Sequence, residues 1–174
     1  YVSDEKTVAF PWTMIDKITP RPSEQIAEDL EKLGVEDMKP VITGKKTYIA
    51  PFVNAEKPQY LVIEDSFPNG RPALEKGVGV YMADRETVNL SERMKVTVCL
   101  NPVHSATGPL GVVQGYDLFA HMLNTNPDMM KMARMVVYDE GLPVVPNPGI
   151  LSPKEFADEL FQERFPNEYC LLYP

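Results

Sequence analysis

Apolar residues recur along this chain in short runs, and their spacing predicts short strands alternating with helices. The runs Tyr60 to Ile63 and Val78 to Met82 combine apolar side chains with β-branched or aromatic ones, which predicts two strands. A third β-prone run, Thr7 to Phe10, stops at Pro11. Residues 12 to 20 are then expected to form a loop or a single helical turn.

Helical spacing first occurs between Pro22 and Leu33. Ile26, Leu30 and Leu33 fall on one face of a helix there, and Gly34 is placed to end it. This pattern predicts an amphipathic helix whose role is packing.

Three further helices are predicted toward the C-terminus. Two cover Tyr116 to Leu123 and Met129 to Tyr138, and the methionines of the second are typical of an adaptable core or interface. The last begins at Ser152, where Ser152 and Glu155 form a capping box and Pro153 occupies the first helical position.

The stretch from Ser91 to Gly108 holds the candidate chemistry. It places Lys95, Asn101 and His104 within ten residues of one another. A lysine can exchange a proton with a substrate oxygen, and a carboxamide and an imidazole can hold a developing alkoxide, so the trio suits chemistry at a carbonyl or secondary alcohol. The alternative is a solvated polar helix edge, and spacing alone does not separate the two interpretations.

Composition and charge narrow the function classes. A net charge of -8 argues against a nucleic-acid partner, which needs a basic surface. No apolar run approaches the roughly 18 residues that span a bilayer, so we expect no membrane segment. Cys99 and Cys170 are too few and too distant for a disulfide framework or a zinc site, which favours a reducing, cytoplasmic location and no metal.

Four segments of the chain resemble the polyol-specific long-chain dehydrogenases, the family of mannitol 2-dehydrogenase, fructuronate reductase and tagaturonate reductase. Their order and spacing also resemble that family's, and together they extend over nearly the whole chain. The segments are FPWTMIDKITP (10 to 20), YLVIEDSFPNGRPALEKGVGVYMAD (60 to 84), ERMKVTVCLNPVHSATGPLG (92 to 111) and ILSPKEFADELFQERFPN (150 to 167).

The resemblance implies an α/β and then mostly α fold. Residues 1 to 60 would be the C-terminal end of a Rossmann-type dinucleotide-binding domain, and residues 61 to 174 the first part of a helical substrate and catalytic domain. The chain has no initiator methionine and no glycine-rich dinucleotide loop, so we expect it to begin inside a longer protein whose upstream part binds the cofactor.

The implied activity is a metal-independent oxidoreductase that uses NAD or NADP. It would interconvert a ketose or keto-hexonate, such as fructose or fructuronate, with mannitol or mannonate. The resemblance makes Lys95 the general acid/base and Asn101 and His104 the donors that polarise the substrate oxygen, while Glu92 helps to relay the proton to solvent. To act near neutral pH, the lysine needs a lowered pKa, from burial or from nearby positive charge.

Three further residues are candidate substrate contacts. Thr13 and Asp16 follow a strand end, where ligands gather in α/β folds, although Asp16 could equally cap a turn. Arg71 lies in a turn and could bind a carboxylate or phosphate, although a salt bridge to Glu64 or Asp65 is the more common arrangement.

The chain departs from the family pattern in two places. Trp12 stands where the mannitol-type enzymes carry asparagine, so one contact to the substrate oxygen is missing or is replaced, for example by Thr13. The family spacing is a lysine, an asparagine five residues on and a histidine eight residues on, whereas here the steps are six and nine.

In a regular α-helix, at about 100° per residue, steps of six and nine would separate the trio around the helix. One residue absorbed in a π-bulge restores the family geometry, and Pro102 would disrupt an α-helix here. The sequence therefore predicts a bulge or kink within residues 96 to 102.

A non-catalytic binding module that keeps this fold is the competing hypothesis, and Lys95→Ala would separate the two. In either case we expect the isolated chain to be inactive, since the dinucleotide loop is missing, and to expose apolar surface that other helices should cover. Residues 168 to 174 do not resemble the family's continuation.

Overall fold

The computed structural model describes residues 4, 6–15, 17, 19, 22–53, 55 and 60–166. The chain divides into two compact units, one formed by residues 1–16 and 59–174 and the other by residues 17–58. In chain order the strands are β1 (Thr13–Met14), β2 (Val41–Ile42), β3 (Tyr48–Ile49), β4 (Leu61–Glu64) and β5 (Val80–Ala83).

Helices predominate in the larger unit. Its α-helices are α2 (Arg85–Glu92), α3 (Asn101–Val113), α4 (Phe119–Thr125), α5 (Pro127–Arg134) and α6 (Pro153–Glu159). The first helix of the chain, α1 (Glu24–Lys32), belongs to the smaller unit. Three π-helical segments continue α2, α5 and α6 without a break. We call them π1 (Arg93–Leu100), π2 (Met135–Gly141) and π3 (Leu160–Arg164).

A three-stranded sheet with the order β1-β4-β5 underlies the larger unit. β4 pairs with β5 in parallel, and β1 pairs with β4 antiparallel, with Thr13 opposite Ile63. The predicted strands at Tyr60 to Ile63 and Val78 to Met82 are thus confirmed, each shifted by one or two residues. Because β4 is buried on its inner positions, its Val62 and Ile63 belong to the core.

The predicted strand at Thr7 to Phe10 is wrong. Those residues have no strand partner, and the strand of this region is β1, which lies within the segment predicted to be a loop. Pairing with β4 decides this, because it buries Met14 at 3% exposure while Phe10 stays 66% exposed.

The smaller unit contains α1 and the hairpin β2–β3. α1 begins after Ser23, whose side chain accepts a hydrogen bond from the N–H of Ile26, and Gly34 follows its end with φ of 87°. The helix and its end are therefore confirmed. Its expected packing role is not seen within the described residues, since none of the α1 residues is buried and Leu33 is 81% exposed.

Local signals set the ends of the later helices. Ser152 accepts a hydrogen bond from the N–H of Glu155 and Pro153 takes the first helical position, as predicted. α4 begins at Phe119, three residues later than the sequence suggested, and Tyr116 lies in the preceding loop.

The core lies between the sheet and these helices. Its largest fully buried side chains come from π1, α4, π3, β4 and the residue after π3, and are Met94, Phe119, Met122, Leu160, Val62 and Phe165. The structure thus confirms a mixed fold dominated by helices. Of the described helices, none is long and apolar enough to cross a bilayer.

Candidate active site

The segment that carries Lys95 departs from α-helical geometry. π1 follows α2 directly, and at its end the N–H of Asn101 donates to the carbonyl of Val96, five residues earlier. The predicted departure between residues 96 and 102 is therefore confirmed. Pro102 has no N–H to donate to the carbonyl of Val98 and would clash with it in an α-helix, so the wider turn removes that conflict.

A wide turn changes which residues share a face of the helix. A π turn takes up one more residue than an α turn before the chain returns to the same angle. Steps of six and nine from Lys95 therefore correspond to α-helical steps of about five and eight, the spacing that the family resemblance implies.

Lys95 is buried, at 2% exposure, although lysine rarely is. Its Nζ lies 2.7 Å from the centroid of the Tyr60 ring and 4.5 Å from that of Phe156, and these two rings meet edge to face. Sequence reasoning did not identify Tyr60 or Phe156 as neighbours of the lysine, because both reach it only through the tertiary fold.

Lys95 borders a cavity of about 380 Å³ that Tyr60, Tyr81 and Phe156 also line. One wall is acidic and consists of Glu155, Glu159 and Glu163. These carboxylates are spaced by four residues along α6 and π3, so they lie on one face. The cavity therefore offers a buried amine, aromatic surface and hydrogen-bond acceptors, a combination suited to a small polyhydroxylated molecule.

Asn101 and His104 have different surroundings. Asn101 is exposed, and the His104 ring packs 4.5 Å from that of Phe119 and 5.8 Å from that of Phe165. Neither Asn101 nor His104 is among the described residues that line the Lys95 cavity. The structure thus brings Lys95 to the rings of Tyr60 and Phe156, and His104 to those of Phe119 and Phe165.

Glu92 and Thr13 are brought together in a different cavity. This cavity measures about 410 Å³, and its lining includes Trp12, Thr13, Asn89 and Glu92. Glu92 also accepts a hydrogen bond from the hydroxyl of Thr97, at 3.1 Å. Trp12, at the position where the family carries asparagine, therefore lines the same cavity as Glu92, the proposed proton relay.

Arg71 is held by two carboxylates. Its Nε and one terminal nitrogen donate to Asp65 at 2.8 and 2.7 Å, and the other terminal nitrogen donates to Glu75 at 2.6 Å. The hydrogen bond from Arg71 lowers the pKa of Asp65. The salt bridge that the sequence allowed as the alternative to substrate binding is therefore present, with Asp65.

A second polar cluster was not predicted. The buried carboxylate of Glu64, at the end of β4, accepts from the N–H of Trp12 at 2.9 Å and from Nε of Arg85 at 3.0 Å. These two donors, in that order, hold the pKa of Glu64 below its usual range. The Arg85 guanidinium also covers the Trp12 ring, 4.9 Å from its centroid.

Some predicted features cannot be placed. Asp16, Cys170 and residues 168 to 174 lie outside the described residues. Within the described part of the chain, no group of three or more His, Cys, Asp or Glu side chains is arranged to hold a metal ion.

Comparison with known proteins gives related sequences and a related fold. The chain is 55% identical to a D-mannonate oxidoreductase of Thermotoga maritima over 95% of this chain and 30% of that protein. It is 37% identical to a mannitol 2-dehydrogenase of Aspergillus niger over 82% of this chain and 27% of that protein. No family profile matches.

A solved structure has the same fold over this region. It is the ternary complex of Pseudomonas fluorescens mannitol 2-dehydrogenase with NAD and D-mannitol, with a TM-score of 0.63 and 30% identity over 94% of this chain and 30% of that one. The chain therefore spans less than a third of the length of these relatives.

Proposed function

The chain belongs to the polyol-specific long-chain dehydrogenase family, a family of oxidoreductases, and we propose that the protein it represents reduces a keto-hexonate to the corresponding aldonate. Fructuronate and mannonate are the proposed pair, with fructose and mannitol as the alternative. The greater identity to the mannonate enzyme, 55% against 37%, supports the sugar acid.

The observation that carries this proposal is a buried lysine on a wide helical turn, at the edge of a cavity of about 380 Å³. In the proposed reduction, the bound dinucleotide, NAD or NADP, supplies the hydride. Lys95 donates a proton from Nζ to the substrate oxygen as the carbonyl becomes an alcohol, and it takes that proton back in the reverse direction.

Asn101 and His104 are proposed to donate hydrogen bonds to the same oxygen. The support is the angle around the helix at which they lie relative to Lys95. Because the wide turn takes up one extra residue, this angle comes close to the one that the family spacing gives. Such donors stabilise the negative charge that develops on the oxygen. In this proposal the rings of Phe119 and Phe165 fix the orientation of the imidazole.

Glu92 and Thr13 are proposed to act from the cavity that Trp12 also lines, Glu92 as proton relay and Thr13 as substrate contact. Glu92 precedes Lys95 by three residues, so it lies on the neighbouring turn and can pass a proton toward solvent. Thr13 could take the place of the missing carboxamide at position 12, and Asp16 remains a proposed substrate contact. Arg71 could bind substrate only by leaving Asp65 or Glu75.

The domain assignment is likewise a proposal. Residues 1 to 60 would end the dinucleotide-binding domain, and residues 61 to 174 would begin the helical domain. The sequence itself holds no glycine-rich phosphate loop, so the main cofactor contacts would come from the rest of the protein.

Replacing Lys95 by alanine in a protein of the relatives' full length tests the proposed role. Losing a general acid/base costs about 10²- to 10⁴-fold in rate, so we expect kcat for NADH- or NADPH-dependent reduction of fructuronate to fall by that factor. The KM for fructuronate should change much less, and initial rates with a panel of fructuronate, tagaturonate, fructose and mannitol would identify the substrate.

Lys154→Ala is the matched control, because Lys154 is an exposed lysine whose one ion pair with a described residue is with Asp158 on α6. It should leave kcat unchanged. Unaltered turnover in Lys95→Ala, with a folded protein by circular dichroism, would contradict the proposed function and favour the non-catalytic alternative.

A further inference from the structure

Arg85 is held in place by its neighbours through only part of its guanidinium group. Nε donates to Glu64, and one face of the guanidinium lies on the Trp12 ring. Among the described residues, the two terminal nitrogens of Arg85 have no hydrogen-bond acceptor. Two parallel N–H donors on a planar, fixed guanidinium match the oxygens of a phosphate or carboxylate.

The Arg85 side chain is 56% exposed, yet it is held by both a hydrogen bond to Glu64 and a stacking contact with Trp12. Glu64 is buried at 8% exposure, and each of its oxygens accepts one hydrogen bond, from Trp12 and from Arg85. Its negative charge is therefore already compensated, and it holds Arg85 in one orientation before any ligand arrives. Such preorganisation reduces the entropy lost on binding.

The guanidinium borders a cavity of about 610 Å³ in the larger unit. Its other walls include Phe10, Ser66 and Phe67, so an apolar surface lies beside a hydroxyl and a cation. The cavity lies where the parallel strands β4 and β5 end, which is where ligands bind in open α/β sheets.

The contacts of Lys95 and Arg85 lie at opposite ends of β4, so a ligand that uses both sites has to extend along this strand. Arg85 contacts Glu64 at the end of β4, whereas Lys95 contacts Tyr60 just before its start. Four residues of strand span about 13 Å. A six-carbon sugar acid has five C–C bonds of about 1.5 Å, less than about 8 Å in all, which is shorter than this stretch of strand, and Lys95 and Arg85 line different cavities.

We infer that Arg85 binds a phosphate group of the nicotinamide dinucleotide. The cofactor is long enough for its ring to lie near the Lys95 cavity while a phosphate reaches Arg85. This inference rests on the proposed function, and it adds a contact from this chain to a cofactor whose main loop would lie elsewhere in the protein.

Equilibrium binding tests the inference without relying on turnover. We would titrate the full-length protein with NADH and follow nucleotide fluorescence, at constant ionic strength because surface charges are screened by salt. Arg85→Met keeps an apolar contact with Trp12 and loses the donors, so its Kd for NADH should rise about 10- to 100-fold. Arg85→Lys keeps the charge and should fall between Arg85→Met and the unchanged protein.

Inorganic pyrophosphate provides a second measurement. It should compete with NADH in the unchanged protein and compete much less in Arg85→Met. Arg93→Met is the control for loss of one positive charge, because Arg93 is exposed and has no ion pair in the described part of the chain. Its Kd for NADH should not change.

Two results would overturn the inference. An unchanged Kd for NADH in a folded Arg85→Met protein would make Arg85 a structural partner of Glu64 only. A raised KM for fructuronate but not for fructose, with an unchanged Kd for NADH, would assign Arg85 to the substrate carboxylate instead. Lys95→Ala is independent of both, so failure of the proposed catalytic role remains distinguishable.

Discussion

Cys99 lies on the same wide turn as Lys95, and its side chain is fully buried. Burial disfavours the thiolate and raises the pKa of Cys99 to about 11. Thiols react as thiolates, so this cysteine is inert in the folded protein and serves as a small buried side chain of the core. The lysine and the cysteine thus show how one short segment can hold a candidate proton donor and an unreactive neighbour.

We predict that Cys99 resists alkylation until the chain unfolds. In a Cys170→Ser variant at about pH 8, iodoacetamide should label the native protein at least about a hundredfold more slowly than the same protein in guanidinium chloride. Mass spectrometry of timed samples would measure both rates. Equal rates in the two states would show that the thiol is accessible or ionised in the native fold.

At the scale of elements, the packing of one π segment against another positions the candidate lysine. Gly141, the last residue of π2, is buried, and a Cβ built there would lie 3.4 Å from the carbonyl oxygen and 3.6 Å from a methyl carbon of Val98. Val98 lies between Lys95 and Asn101, on π1. A glycine at 141 therefore allows π2 to approach the wide turn closely.

We predict that Gly141→Val displaces π1. A Cβ at 141 would already touch Val98 and would lie 3.2 Å from the carbonyl oxygen of Val136, so the two further methyl groups of valine overpack this contact. Overpacking of this kind costs about 1 to 3 kcal/mol of stability. Thermal unfolding would measure the loss. In the full-length protein kcat should also fall, since Lys95 and Asn101 lie on the displaced turn.

Gly44→Val is the matched control for this substitution. Gly44 has no positive φ, and nothing lies within 4 Å of a Cβ built there. It should leave both the unfolding temperature and kcat close to those of the unchanged protein. A Gly141→Val protein with unchanged stability and kcat would show that π2 does not hold the turn in place.

For the molecule as a whole, apolar side chains that remain on the surface are the main departure from a self-contained domain. The hairpin β2–β3 of the smaller unit exposes all four of its strand residues, Val41, Ile42, Tyr48 and Ile49, by 47 to 61%. Contiguous exposed apolar surface commonly marks an interface. The chain spans less than a third of its relatives' length, so other parts of such a protein are the proposed cover.

We predict that the isolated chain self-associates through this hairpin. Sedimentation velocity should show a mass that rises with concentration, and the double change Ile42→Thr and Ile49→Thr should reduce that rise while keeping strand-forming residues. Val78→Thr, at an exposed position of the larger unit that lies outside the hairpin, serves as the control. Association that persists unchanged in the hairpin variant would place the contact elsewhere.

The sequence by itself determined the features that depend on neighbouring residues. Ser23 and Ser152 cap helices through bonds to residues three positions on, and Pro102 disfavours a regular α-helix at the point where the wide turn ends, which the spacing difference from the family also indicated. These follow from backbone hydrogen bonding and from proline's missing N–H, which act over a few residues.

Only the tertiary structure decided which distant groups meet. Lys95 is enclosed by rings 35 residues before it and 61 after it, and Glu64 joins Trp12 to Arg85 across the sheet. Arg71 pairs with Asp65 and Glu75, although the sequence also places Glu64 close by. Strand pairing and core packing fix these contacts, because a buried charge is stable only where the fold brings a partner to it.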